Sequence, residues 1–127
     1  MSARPRPLSP HLTIYRFTIT MTMSIIHRIT GGALYVGTLF LVIWLAAAAW
    51  SQQALDVVNL VYGSWLGALV LFGYTWALFH HLMGGLRHFV WDLGYGFEPG
   101  QREALAWAGL VVSIVLTLLV WTIFVWM

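Results

Sequence analysis

From Gly31 to Trp50 the chain runs through twenty residues without one charged side chain. At about 1.5 Å per residue, a helix of that length crosses the roughly 30 Å hydrocarbon core of a bilayer. Two further long apolar runs follow it. A soluble domain keeps about a quarter of its residues charged. Here 8% of 127 residues are charged and 61% are hydrophobic, so the chain lacks the means to cover itself in water. In lipid every backbone polar group needs a partner within the protein, which leaves helices or a closed barrel. Continuous apolar runs, without alternation, select helices. The expected fold is all-α, a single membrane-anchor domain over residues 1–127 with three transmembrane helices.

Residues 1–23 read as an N-terminal arm. Pro5, Pro7 and Pro10 remove backbone donors and favour extended shapes, and the polar start does not resemble a cleaved signal peptide. Ile14, Tyr15 and Phe17 can lie in the membrane interface. The first helix is expected over 24–50, and 51–57 is a short connection. The second helix, expected over 58–91, is longer than the bilayer requires and so should tilt or protrude. Gly63, Gly67 and Gly73 on it permit close helix contacts. A glycine- and proline-containing loop leads to the third helix, 104–127. That helix is read as anchor and packing surface, with Trp107, Trp121 and Trp126 suited to the two interfaces. There is no cysteine, so disulfides and thiolate ligands are excluded.

Against this apolar background the polar residues are informative. An ionisable side chain near the bilayer centre costs about 3 kcal/mol and usually has a function and a partner. Phe79–Asp92, FHHLMGGLRHFVWD, carries three histidines, an arginine and two glycines. His81 and His88 share a helix face about two turns apart, with Gly85 one turn after His81. A histidine above a bare patch of helix suits a flat macrocycle, so the stretch reads as half of a haem site. His80 has Gly84 at the same spacing, and spacing alone leaves the choice between His80 and His81 open. On the first helix, Ser24, His27, Arg28 and Gly31 fall at i, i+3, i+4 and i+7, a polar stripe on an apolar helix. Alone, Arg28 would be an arginine snorkelling to the headgroups. With Ser24 and His27 beside it, the stripe reads as a polar ligand site.

Three segments, Arg6–Tyr15 (RPLSPHLTIY), Ser24–Gly31 (SIIHRITG) and His81–Asp92 (HLMGGLRHFVWD), resemble the cytochrome b membrane-anchor subunit of succinate:quinone oxidoreductase, respiratory complex II. They occur in that family's order, separated by comparable helix lengths. Alphaproteobacterial and mitochondrial members look most similar, and the likeness covers about the first four-fifths of the chain. It implies a helical bundle completed by a second hydrophobic anchor subunit. It also implies a flavoprotein subunit with FAD, an iron–sulfur subunit, one haem b between the anchors, and ubiquinone as electron acceptor. It leaves room for a trimer of heterotetramers.

Carried over residue by residue, the resemblance makes His81 the axial ligand of the haem iron and prefers it over His80. Ser24 and Arg28 fall on the quinone site and His27 near a haem propionate. The chemistry agrees: Ser24 offers a hydroxyl donor to a quinone carbonyl, and Arg28 a fixed positive charge. Arg28, Arg87 and His88 join His27 as propionate donors at suitable depth, with Gly85 in the haem environment. A low-spin haem needs two axial ligands; with one offered at depth here, the other is expected from the partner. The chain itself carries no succinate-oxidising site. Two other readings are a haem-free quinone anchor of fumarate-reductase type and a small structural membrane subunit. The first would not need His81, and the second would use its arginines only for topology.

All six arginines lie in the arm, at the start of the first helix, or around the loop after the second. The positive-inside rule therefore places the N-terminus and second loop in the cytoplasm, or on the matrix side in an organelle; the expected location is a bacterial inner membrane with the C-terminus in the periplasm. Reporter fusions should read outside near Asp56 and at the C-terminus, and inside near Pro99. A C-terminal fusion active only in the cytoplasm would reverse the topology.

Overall fold

The protein is described here by a computed structural model covering residues 7 and 9–126. The first six residues of the expected arm, Leu8, Met127 and the side chains of His11, Leu12, Val125 and Trp126 lie outside the described residues. Among the described residues five helices follow in order: α1 (His11–Ile14), α2 (Ile19–Trp50), α3 (Gln52–Tyr62), α4 (Trp65–Asp92) and α5 (Pro99–Trp126). Three of them, α2, α4 and α5, are long and apolar enough to span a membrane.

The helix boundaries differ from the expected ones for local reasons. α2 begins at Ile19 rather than Ser24, with Thr18 as N-cap accepting from the Met21 N–H. Ser24 and Arg28 consequently sit in the second and third turns. The expected connection 51–57 and the expected helix 58–91 are replaced by a short helix, a break and a second helix. The Ser51 hydroxyl caps α3 by accepting from the Ala54 N–H at 3.2 Å. Gly63 ends α3, and Ser64 then caps α4 by accepting from the Gly67 N–H at 3.1 Å. Gly67 is required there because a Cβ would meet the backbone carbonyls of Val61 and Tyr62. Gly73, in contrast, faces open space.

α3 folds back against α2. Trp44 donates its indole N–H to Asn59 at 3.0 Å, and the Tyr62 hydroxyl donates to the Phe40 carbonyl at 2.9 Å. α4 ends in a Schellman turn: Gly94 at φ 83° bonds back to the Trp91 carbonyl and Tyr95 to that of Val90. α5 starts five residues earlier than expected, at Pro99, where a proline loses no helical hydrogen bond.

α2 and α4 run antiparallel, and glycines set their separation. A Cβ on Gly84 would meet the His27 ring, one on Gly31 the His81 ring, and one on Gly37 the Tyr74 ring. At each level one helix is bare where the other inserts a ring. α5 packs on α4 through buried Ala106, Ser113 and Thr117. The two hydroxyls donate to carbonyls of their own helix, Leu110 and Ser113, so their burial costs no hydrogen bond. The stretch 35–46 of α2 is exposed except at Gly37, a surface that needs lipid or another subunit to cover it.

Gly37→Leu should displace the Tyr74 ring and destabilise the α2–α4 contact by about 1–3 kcal/mol. A thermal-melting comparison of the membrane complex checks it, with Gly73→Ala as a control expected to be neutral. Equal melting for both variants would remove Gly37 from the contact.

Candidate functional site

Two polar clusters stand apart on α4, one facing α2 and one facing α5. The first is built on His27 and His81. Their rings stack with centroids 4.0 Å apart and planes 4° from parallel. Each ring also bonds the other residue's backbone: His81 Nδ1 lies 3.0 Å from the His27 carbonyl, and His27 Nε2 lies 3.2 Å from the His81 carbonyl. A carbonyl only accepts, so both ring nitrogens carry hydrogen and the tautomers are set. His81 is then left with its lone pair on Nε2, which is not among the sealed polar atoms.

Buried Thr30 supports the pair. Its hydroxyl donates to the His27 carbonyl at 3.0 Å and lies 3.4 Å from His81 Nδ1. The cause is local sequence: Gly31 and Gly84 remove the side chains that would keep the rings from the opposite backbone. Gly85 has nothing within 4 Å of where its Cβ would be, leaving open space beside the pair. His88 extends the cluster, its ring 5.7 Å from that of His27 and edge-on to Trp91 at 5.1 Å.

The second cluster holds His80 and Arg87, which the sequence reading placed with the haem residues. His80 is buried and stacks on Trp76 at 5.1 Å. Arg87 is buried with it, on the side of α4 that meets α5, with its guanidinium carbon 5.2 Å over the Trp91 ring. The two histidines left open by spacing are thus separated by structure: His81 faces α2 and His80 faces α5.

The polar stripe of α2 also divides. His27 and Gly31 turn to α4. Ser24 and Arg28 instead line a groove of about 320 Å³ with Tyr15, Phe17, Thr20 and Met21. The extended segment between α1 and α2 forms one wall, and the Tyr15 hydroxyl rests on the Met21 sulfur at 3.6 Å. Among the described residues neither Ser24 Oγ nor the Arg28 guanidinium has a hydrogen-bond partner, so both are free to bind a polar group in the groove.

The sequence reading did not single out Thr30, Gly84 as the seat of His27, or the arm as a groove wall. A usable signal was present for Gly84. A histidine three or four residues before a glycine occurs on both helices, as His27–Gly31 and His81–Gly84, which is the pattern two rings need to exchange places.

Residues 2–120 match the family described as succinate dehydrogenase/fumarate reductase transmembrane subunit. The chain is 47% identical to the succinate dehydrogenase cytochrome b556 subunit of Paracoccus denitrificans, with 94% of each chain covered. It is 40% identical to the subunit of the same name from Rickettsia felis, covering 91% of this chain and 90% of that one. The cytochrome b560 subunit of Reclinomonas americana is 36% identical, covering 94% of this chain and 86% of that one. Three apolar spans and a match over residues 2–120 agree, and the chain belongs to the succinate dehydrogenase/fumarate reductase transmembrane subunit family.

Proposed function

We propose that this chain binds one haem b through His81 and forms part of a ubiquinone-reduction site at Ser24 and Arg28 of succinate dehydrogenase. The observation that carries the reading is the His81 tautomer. A ligating histidine commonly gives its second ring N–H to a backbone carbonyl, which orients the ring and raises the basicity of the ligating nitrogen. His81 does this with the His27 carbonyl, leaving Nε2 for the iron. Open space over Gly85 suits a porphyrin edge. A haem bound there would supply one-electron redox chemistry.

His88 is the propionate donor of this reading, since it stands beside the pair on its arginine-rich side, while His27 gives its ring N–H to the His81 carbonyl and Arg28 turns to the groove. Arg87 is assigned elsewhere, because its Nε is sealed on the α5 side. In the groove, Ser24 donates its hydroxyl hydrogen to a quinone carbonyl oxygen. Arg28 stabilises the negative charge that gathers on that oxygen as it is reduced. The apolar walls from Tyr15, Phe17 and Ile25 accept the ring.

A second ligand for the haem would come from the other anchor subunit, for which exposed α2 supplies a surface. The flavoprotein and iron–sulfur subunits sit on the arginine-rich face and deliver electrons from succinate to the groove. In this reading the chain lies in a bacterial inner membrane with its N-terminus in the cytoplasm, an orientation supported by the arginine placement.

Ser24→Ala and Arg28→Ala should each lower succinate-driven quinone reduction by roughly tenfold to a hundredfold, the loss of a hydrogen bond involving a charged group. Succinate oxidation with a dye that takes electrons upstream should survive. Wild-type quinone rates in both assembled variants would move the site elsewhere.

His81→Leu should abolish the reduced b-type absorption band or convert the haem to high spin, while His80→Leu keeps the band. A normal bis-histidine spectrum in His81→Leu with a lost one in His80→Leu would transfer the ligand to His80.

A further inference from the structure

α3 belongs to neither the haem nor the quinone reading. The chain leaves α2 at Trp50 and turns straight back along it. Trp44 donates to Asn59 and the Tyr62 hydroxyl to the Phe40 carbonyl, so three residues forward on α3 answer four residues back on α2. Phe40 lies ten residues before Trp50, about 15 Å down the axis. α3 therefore runs beside the last third of α2 instead of projecting away from it.

The charged residues set where the hydrocarbon lies. Arg28 is the last of them before Asp56, and the twenty residues that follow it, about 30 Å of helix, end at Ala48. The part of α2 from Phe40 to Trp44, to which α3 is tied, is thus inside the apolar layer. α3 itself is polar at its start. Gln52, Gln53 and Asp56 are exposed there, and Gln52 donates to Asp56 at 2.8 Å. Beyond them Val57, Leu60 and Val61 fall at i, i+3 and i+4 on one side of the helix. They are 65%, 78% and 60% exposed. Polarity therefore falls along α3 in the direction in which it descends beside α2.

A helix end inside hydrocarbon needs its backbone groups met within the protein. The break after α3 provides for this. The Gly63 N–H donates to the Asn59 carbonyl at 2.8 Å, and the Ser64 hydroxyl to the Val61 carbonyl at 2.6 Å. The Ser64 carbonyl accepts from the Ala68 N–H at 2.8 Å. Trp50 and Trp65 flank α3 in sequence and are 87% and 80% exposed. Indole rings favour the boundary between headgroups and acyl chains.

We propose that the second half of α3, from Val57 to Tyr62, is embedded in the bilayer. Val57, Leu60 and Val61 lie against the acyl chains of the leaflet opposite the arginine-rich side. The second crossing of the membrane thus begins within α3, steps sideways at Gly63–Ser64 and continues in α4. Lipid is the occupant of the exposed stripe because α3 joins two spans directly, so that their lipid surface continues onto it. The stripe is also aliphatic and uncharged, with Asp56 left at the water boundary. The placement depends on the spans alone and not on haem or quinone binding.

The test uses the whole complex in lipid nanodiscs. This chain has no cysteine, so one is introduced at Gln53, Val57, Leu60 or Val61 and labelled with a nitroxide. The unsubstituted complex gives the background. Power saturation with oxygen, which concentrates among acyl chains, and with a nickel chelate, which stays in water, reads the depth. Labels at Leu60 and Val61 should favour oxygen over nickel several-fold more than the label at Gln53, with Val57 between. Leu60→Asp should lower the melting temperature of the complex by several degrees, and Gln53→Asp should leave it unchanged. Nickel access at Leu60 and Val61 equal to that at Gln53 would overturn the proposal and place α3 in water. Exclusion of both reagents would overturn it in favour of a protein partner, and equal melting of the two aspartate variants would also count against it. If Leu60→Asp fails to assemble, the uncharged labelled variants still decide.

Discussion

The reciprocal bond between His27 and His81 is the contact on which the candidate site depends. Two imidazoles lie face to face in a membrane segment, and each satisfies a ring nitrogen on the other's backbone. A polar ring in hydrocarbon needs such a partner, because no water is at hand to replace it. Both partners are backbone carbonyls, so the hydrogen positions are dictated rather than left to equilibrate. That leaves one accessible lone pair at His81 Nε2, and its direction is set by how closely α2 and α4 approach. Glycines control that approach. Gly31 and Gly84 admit the rings, and Gly37 repeats the device with Tyr74 further along.

α4 is thus two-sided. Toward α2 it carries the histidine pair, and His88 continues that side to the arginine-rich end. Toward α5 it carries His80 and Arg87 among methionines and small residues. Trp91 joins the two sides, since His88 meets its edge and Arg87 its face. A helix with polar groups on both faces cannot be lipid-facing on either. This accounts for its central place, with α2 and α5 packed against it and their outer faces left to lipid or a partner subunit.

The groove by Ser24 has a different origin. It exists because the chain turns through an extended segment at Tyr15–Thr18 before α2 begins, and that turn lays two aromatic rings beside the helix. At the far end of α2, α3 is held to its flank by Asn59 and Tyr62. Connections that look incidental in sequence therefore shape the ends of the longest helix. One end frames the proposed quinone site, and the other sets where α4 starts.

The apolar runs alone determined an all-helical, three-span membrane protein, because chain length against bilayer thickness and backbone satisfaction admit little else. Residue types and their order determined the family and picked out Ser24, His27, Arg28, His81 and His88 as the polar residues worth explaining. Periodicity could not go further, since it reports which residues share a face but not what that face meets. His80 and His81 have equivalent spacing to a glycine, and only packing against two different helices separates them. Arg87 looked equivalent to His88 in depth, yet a rotation of about 100° on the helix put it in the other cluster. The break at Gly63–Ser64 was equally hidden, because a capping serine after a glycine inside an apolar run reads as a tolerated interruption. Gly67 approaches the carbonyls of Val61 and Tyr62 across that break, and what tertiary structure decided is the anchorage of α3 on α2 through Trp44–Asn59 and Phe40–Tyr62, which no local pattern reports.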